Sequence, residues 1–82
     1  MNDKPDFLTE NPDGSVAITL RSGRVLTMRE PTVGDQLATK GSNEEREIAL
    51  VGNLCTMAPD EVRSLSLRDY RRVQAALMGF QD

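Results

Sequence analysis

Few side chains in this chain could do chemistry, and their spacing assigns most of them to structural work. None of the 82 residues is histidine, which removes the commonest general base and the commonest metal-binding side chain together. Cys55 is the single cysteine. It excludes an internal disulfide and any cysteine-based zinc site, and one thiol suits a reducing compartment. Its place within an apolar helical stripe reads as a small core residue and not as a reactive thiol. Carboxylates pair at Glu30/Asp35, Glu44/Glu45 and Asp60/Glu61. Each pair lies at or near a predicted helix start, where acids complement the dipole. Ser22, Ser42, Ser64 and Ser66 have no histidine to activate them, and Ser42 and Ser66 stand where helix caps are needed. Lys4 and Lys40 lie in polar settings that give no reason for a depressed amine pKa. Gly34 and Gly41 form neither a Walker nor a dinucleotide-binding pattern. The expectation is a protein without catalytic residues, cofactor or metal, acting by binding.

Two groups of residues could do that binding. Arg68, Arg71 and Arg72 form the only basic cluster. It reads either as a contact for nucleic acid or an acidic partner, or as a solvated helix face with Asp69 able to pair with Arg72. Leu67, Tyr70, Val73, Leu77 and Phe80 form one apolar stripe at helical spacing. Tyr70, Val73, Leu77 and Phe80 are the candidate partner-binding residues. The competing reading makes them core, with Phe80, near the end, the best placed for a partner. Charge weighs against nucleic acid. Residues 1–14 carry Asp3, Asp6, Glu10 and Asp13 against Lys4, while the other nine acids and nine bases cancel. A balanced body lacks the basic excess of a dedicated nucleic-acid binder, and Phe7, Tyr70 and Phe80 leave little for base stacking.

The elements that must position these residues can be read in order. Residues 1–14, punctuated by Pro5, Asn11-Pro12 and Asp13-Gly14, read as an acidic flexible arm outside a single small domain at 15–80. Val16, Ile18 and Leu20 alternate with Ala17 and Thr19, the period of a half-buried strand. A two-residue Ser22-Gly23 turn would set Arg21 against Arg24, which like charges disfavour. A three-residue loop, Arg21-Ser22-Gly23, instead puts Gly23 at a left-handed position and pairs Ile18 with Leu26 and Val16 with Met28. One hairpin face is then Val16, Ile18, Leu20, Leu26 and Met28, which needs helices to cover it. Thr32 caps a short helix from Val33 to about Lys40, with Asp35 completing the box and Gly41 ending the helix. Ser42 or Asn43 caps a longer helix over Glu44–Met57, with Ile48, Leu50, Val51, Leu54, Cys55 and Ala58 on its apolar side. Pro59 opens a further turn to Arg63. Ser66 caps the last helix, Asp69 completes a Ser-x-x-Asp box, and Gly79 stops it with Phe80 folded back. The fold class is α+β: an N-terminal β-hairpin packed on three to four short helices. A core this small supplies roughly 3–5 kcal/mol, so self-association or a partner would supplement it. No run of about 18 apolar residues suggests a membrane span, and the polar, acidic start is unlike a secretory signal.

Two stretches together resemble a known family. One is Leu26-Thr27-Met28-Arg29-Glu30-Pro31-Thr32-Val33-Gly34-Asp35. The other runs Met57-Ala58-Pro59-Asp60-Glu61-Val62, then Leu65-Ser66-Leu67-Arg68-Asp69-Tyr70, and ends Met78-Gly79-Phe80. In this order, with a helix between them, they are similar to the small tail assembly chaperones of Mu-like and P2-like long-tailed phages and prophages, over roughly residues 16–80. The resemblance implies a non-enzymatic protein of the host bacterial cytoplasm, active in viral tail morphogenesis and absent from the mature virion. It implies binding to the tape measure protein, which is kept soluble while tail tube protein assembles around it, and often a frameshifted longer form of the chaperone. No partner-contact residues carry over from it. The alternatives are a small DNA-associated phage regulator using Arg68, Arg71 and Arg72, and a structural tail component.

Overall fold

Alternation in residues 8–28 produces a sheet, and the sheet has three strands. The computed structural model describes residues 5–80. Strands β1 (Leu8–Glu10), β2 (Val16–Thr19) and β3 (Val25–Met28) form an antiparallel meander in the order β1-β2-β3. The β2–β3 register pairs Val16 with Met28 and Ile18 with Leu26, as the three-residue loop requires. Leu20 N–H donates to the Arg24 carbonyl at 2.8 Å, and Gly23 closes the turn at φ +95°.

The hairpin reading is corrected at β1. Leu8 pairs with Ile18 and Glu10 with Val16, so part of the segment read as an arm belongs to the sheet. Residues 1–4 of that arm lie outside the described residues. The β1–β2 connection is a second turn of the same kind. Gly14 N–H donates to the Asn11 carbonyl at 3.0 Å, Gly14 adopts φ +93°, and Asp13 Oδ1 accepts from the Ser15 amide at 2.9 Å. Asn-Pro-Asp-Gly is a turn sequence with a mechanism: Pro presets φ, Asp accepts from the backbone, and Gly takes the positive φ.

One sheet face carries Val16, Ile18, Leu20, Leu26 and Met28, all buried, with Leu8 partly buried beside them. Helices α2 (Asn43–Cys55) and α4 (Leu67–Gly79) cover it, α2 against β3 and α4 against β2. From α2 and α4 come Leu50, Val51, Leu54, Val73, Ala76 and Leu77, with Met57 from the reversal after α2 and Val62 from α3 (Pro59–Arg63). The expected α+β class holds, with a sheet of three strands before four helices.

Helix limits follow the capping chemistry. Ser42 caps α2 and Glu45 reaches back to its amide at 3.0 Å. The apolar run stops at Cys55, because Thr56 turns left-handed at φ 57° and Met57 folds back with its amide on the Gly52 carbonyl at 2.8 Å. Ala58 therefore leaves the expected stripe, becoming the exposed residue before α3, and Met57 takes the buried place. Helix α1 (Val33–Ala38) ends earlier than Gly41, its last turn released by extended Thr39. Gly79 stays within α4 and Phe80 follows in the α region, so the expected glycine stop is not formed.

Candidate protein-interaction surface

Helix α4 starts where Ser66 Oγ accepts from the Asp69 amide at 3.1 Å. Asp69 does not close the expected box. Its carboxylate is buried and accepts from the Arg21 amide at 2.9 Å, tying the helix start to the β2–β3 loop. Arg72 does not pair with Asp69 either. It donates to the Thr19 carbonyl at 2.8 Å and lies 4.7 Å from the Phe7 ring centroid. That cation–π contact pins the chain ahead of β1 beneath the helix. Arg68 and Arg71 remain exposed.

The candidate stripe divides. Val73 is 0% exposed and Leu77 5%, so both serve the core that covers the sheet. Tyr70 and Phe80 are half-buried at its edge. The Tyr70 hydroxyl donates to Glu47 Oε2, which also accepts from Gln74 Nε2 at 3.0 Å. Burial, and then the adjoining carboxylate, push the Tyr70 phenol well above its ordinary pKa. Tyr70 is thus neutral, its hydroxyl held by Glu47 and its side chain half-buried. Leu67, first of the stripe, is 65% exposed.

Tyr70 and Leu67 belong to a groove that periodicity within one helix could not reveal. Ile48 of α2, Val62 and Arg63 of α3, the linker residue Leu65, and Leu67 and Tyr70 of α4 line an open depression of about 280 Å³. Its lining is apolar apart from Arg63 and the phenol of Tyr70. Elsewhere, Val33 and Leu37 stand one helical turn apart on α1 and are each 77% exposed. No residue of α1 is buried. The helix is held instead by Arg29, whose guanidinium grips Asp35 through two bonds of 2.7 and 2.8 Å. Asp35 also accepts from the Thr32 amide at 2.8 Å. Those bonds, the Arg29 pair foremost, hold its carboxyl far below the usual range. The Arg-Glu-Pro-Thr and Gly-Asp residues thus form a clasp that sets α1 on the end of β3.

The other reactive groups have structural partners. Burial pushes the Cys55 thiol up to about 11, the reverse of an activated thiol. Each carboxylate pair contributes one acid three residues into a helix: Asp35, Glu45 and Glu61, the last accepting from the Ala58 amide at 2.9 Å. Ser64 Oγ donates to the Glu61 carbonyl at 2.7 Å. Among the described residues no group of three or more carboxylates or thiols is placed to hold a metal ion. No helix among them is long and apolar enough to cross a membrane.

What this geometry presents at the surface is an exposed apolar groove, an unburied helix and an arginine face. No curated protein and no solved structure matches the chain. A family model does, over residues 18–82, and its description is phage tail assembly chaperone proteins, E, or 41 or 14. The match takes in β3, all four helices, the Arg29–Asp35 clasp and every residue lining the groove, and the chain therefore belongs to the phage tail assembly chaperone family.

Proposed function

We propose that this chaperone binds the tape measure protein in the host cytoplasm, keeps it soluble until tail tube subunits enclose it, and leaves before the virion is complete. The tail protein that a tail assembly chaperone attends must, on this reading, be a long chain with apolar helical stripes that are unshielded before assembly. The observation that carries the proposal is the apolar groove of Ile48, Val62, Leu65, Leu67 and Tyr70 within the matched region. A groove between helices accepts side chains at i, i+3 and i+4 of an amphipathic helix. Of the four candidate partner-binding residues, Tyr70 lines the groove, Phe80 packs at the core edge, and Val73 and Leu77 belong to the core on which both pack. Holding a client by mass action needs neither nucleotide nor catalysis.

Co-expression with the tape measure protein of the same phage tests this. The expected result is a soluble complex that elutes together, lost on Leu67→Asp, whose side chain is exposed and whose change leaves the core intact. An unchanged tape measure solubility with no co-eluting complex would falsify the proposal. Recovery of the chain from purified virions would instead favour a structural tail component.

A further inference from the structure

The fold gathers arginines that lie far apart in the chain. Arg21 and Arg24 occupy the β2–β3 loop, and Arg68, Arg71 and Arg72 the first turns of α4. The Arg21 amide bonds directly to Asp69, at 2.9 Å, and Arg72 bonds to Thr19 at the end of β2. The loop and the helix start are thereby one surface. Arg21, Arg24, Arg68 and Arg71 are exposed, and none forms a salt bridge with an acid among the described residues. Asp69, on this face, is buried and directed at the loop amide, and Asp6 shares a depression with Arg72 and Thr19 at its edge. A chain with a net charge of −3 thus carries a local concentration of positive charge, borne by four exposed arginines.

We propose that this face is a second interaction surface, distinct from the groove, that binds a carboxylate-rich segment of a partner protein. Guanidinium groups pair with carboxylates through two parallel hydrogen bonds, so several arginines on one face suit a run of Asp and Glu. Nucleic acid suits it less well. A duplex presents dense charge over many ångströms and so reaches acids outside the patch, whereas a short peptide is spanned by the patch, with charges beyond a Debye length of about 10 Å screened. Aromatic stacking surfaces are also lacking there: Phe7 lies against Arg72, and Tyr70 is bound to Glu47. The proposal stands on charge and geometry and does not depend on the identity of the groove's occupant.

Fluorescence anisotropy of a labelled Glu-rich peptide, with a Lys-rich peptide and a short DNA duplex as comparators, provides the test on the full chain. The Glu-rich peptide is expected to bind at low salt and weaken as salt rises. Arg21→Gln with Arg24→Gln, and separately Arg68→Gln with Arg71→Gln, should each weaken it about 3- to 10-fold. Arg46→Gln, on α2, should leave it unchanged. The two double variants come from different elements and alter side chains without bonds in the fold, and circular dichroism verifies their folding. The proposal is overturned if the acidic peptide does not bind, if neither double variant weakens it, if Arg46→Gln weakens it equally, or if the duplex binds more tightly than the peptide.

Discussion

At the residue scale, Gly52 and Gly79 show how context decides what one methyl group does. Both lie in helices, where alanine is intrinsically better than glycine by about 1 kcal/mol. At Gly52 a Cβ would sit 2.6 Å from the Met57 carbonyl oxygen, a backbone atom that cannot step aside without undoing the reversal after α2. At Gly79 a Cβ would meet nothing within 4 Å. Gly52→Ala is therefore expected to destabilise the protein by about 1–3 kcal/mol, as overpacking does. Gly79→Ala should stabilise it by a few tenths to about 1 kcal/mol. Thermal unfolding of the two variants checks both, since about 1 kcal/mol moves the midpoint of so small a domain by roughly 4–8 °C. Gly52 was unreadable in advance because helical periodicity counts apolar side chains, and the close approach that demands glycine comes from residues after the helix. Asp69 was half-readable: its amide is capped by Ser66 as its spacing says, but its carboxylate answers to a loop 48 positions away.

At the scale of elements, α1 differs from its neighbours. It contributes no buried residue and is held by the Arg29–Asp35 clasp and its own cap. Its attachment should be separable from global stability. Arg29→Gln is expected to shift the thermal midpoint little while amide protection over residues 33–38 falls by an order of magnitude or so, the behaviour of a local opening unit. Hydrogen exchange followed by mass spectrometry reads both; a global loss of protection would contradict this account. The β2–β3 hairpin was legible down to register, because charge at Arg21 and Arg24 and the demand for Gly23 both select the same loop. Strand β1 was not, although its Asn-Pro-Asp-Gly turn stood in plain sight. Its three residues carry one inward apolar side chain, Leu8, too short a pattern to register as alternation. It is a strand because β2 offers a free edge.

At the scale of the whole molecule, several carboxylates contribute to stability in the same direction. Asp13, Asp35 and Glu45 are all held below their ordinary values, by Ser15, by Arg29 with Thr32, and by Ser42. A carboxyl with a depressed pKa in the folded state stabilises it above the unfolded value and ceases to do so as pH falls through the folded one. Stability is expected to be level with respect to these groups from neutrality down to about pH 5, then to decline from about pH 4 downward. Denaturation midpoints measured across that range test it, and a decline that begins nearer neutrality would point to other groups. Asp35→Asn should flatten part of the acid limb, as the clasp carboxyl would no longer titrate.

The amino-acid sequence by itself determined the class of the fold, the caps of the three longer-marked helices, the hairpin register and the family resemblance. Each rests on local chemistry: cap side chains reach three residues, turn glycines act in place, and alternation has a period of two. It also put Tyr70, Val73, Leu77 and Phe80 on one stripe. Only the tertiary structure decided which of them faces outward, because that depends on where the sheet lies. It buried Val73 and Leu77 in the core where α4 covers β2, left Tyr70 and Phe80 at the margin, and joined Tyr70 to residues of α2 and α3 in a groove. It likewise joined Arg68 and Arg71 to Arg21 and Arg24. Surfaces made from separate segments have no signature along the chain, since their members become neighbours only when the core between them closes.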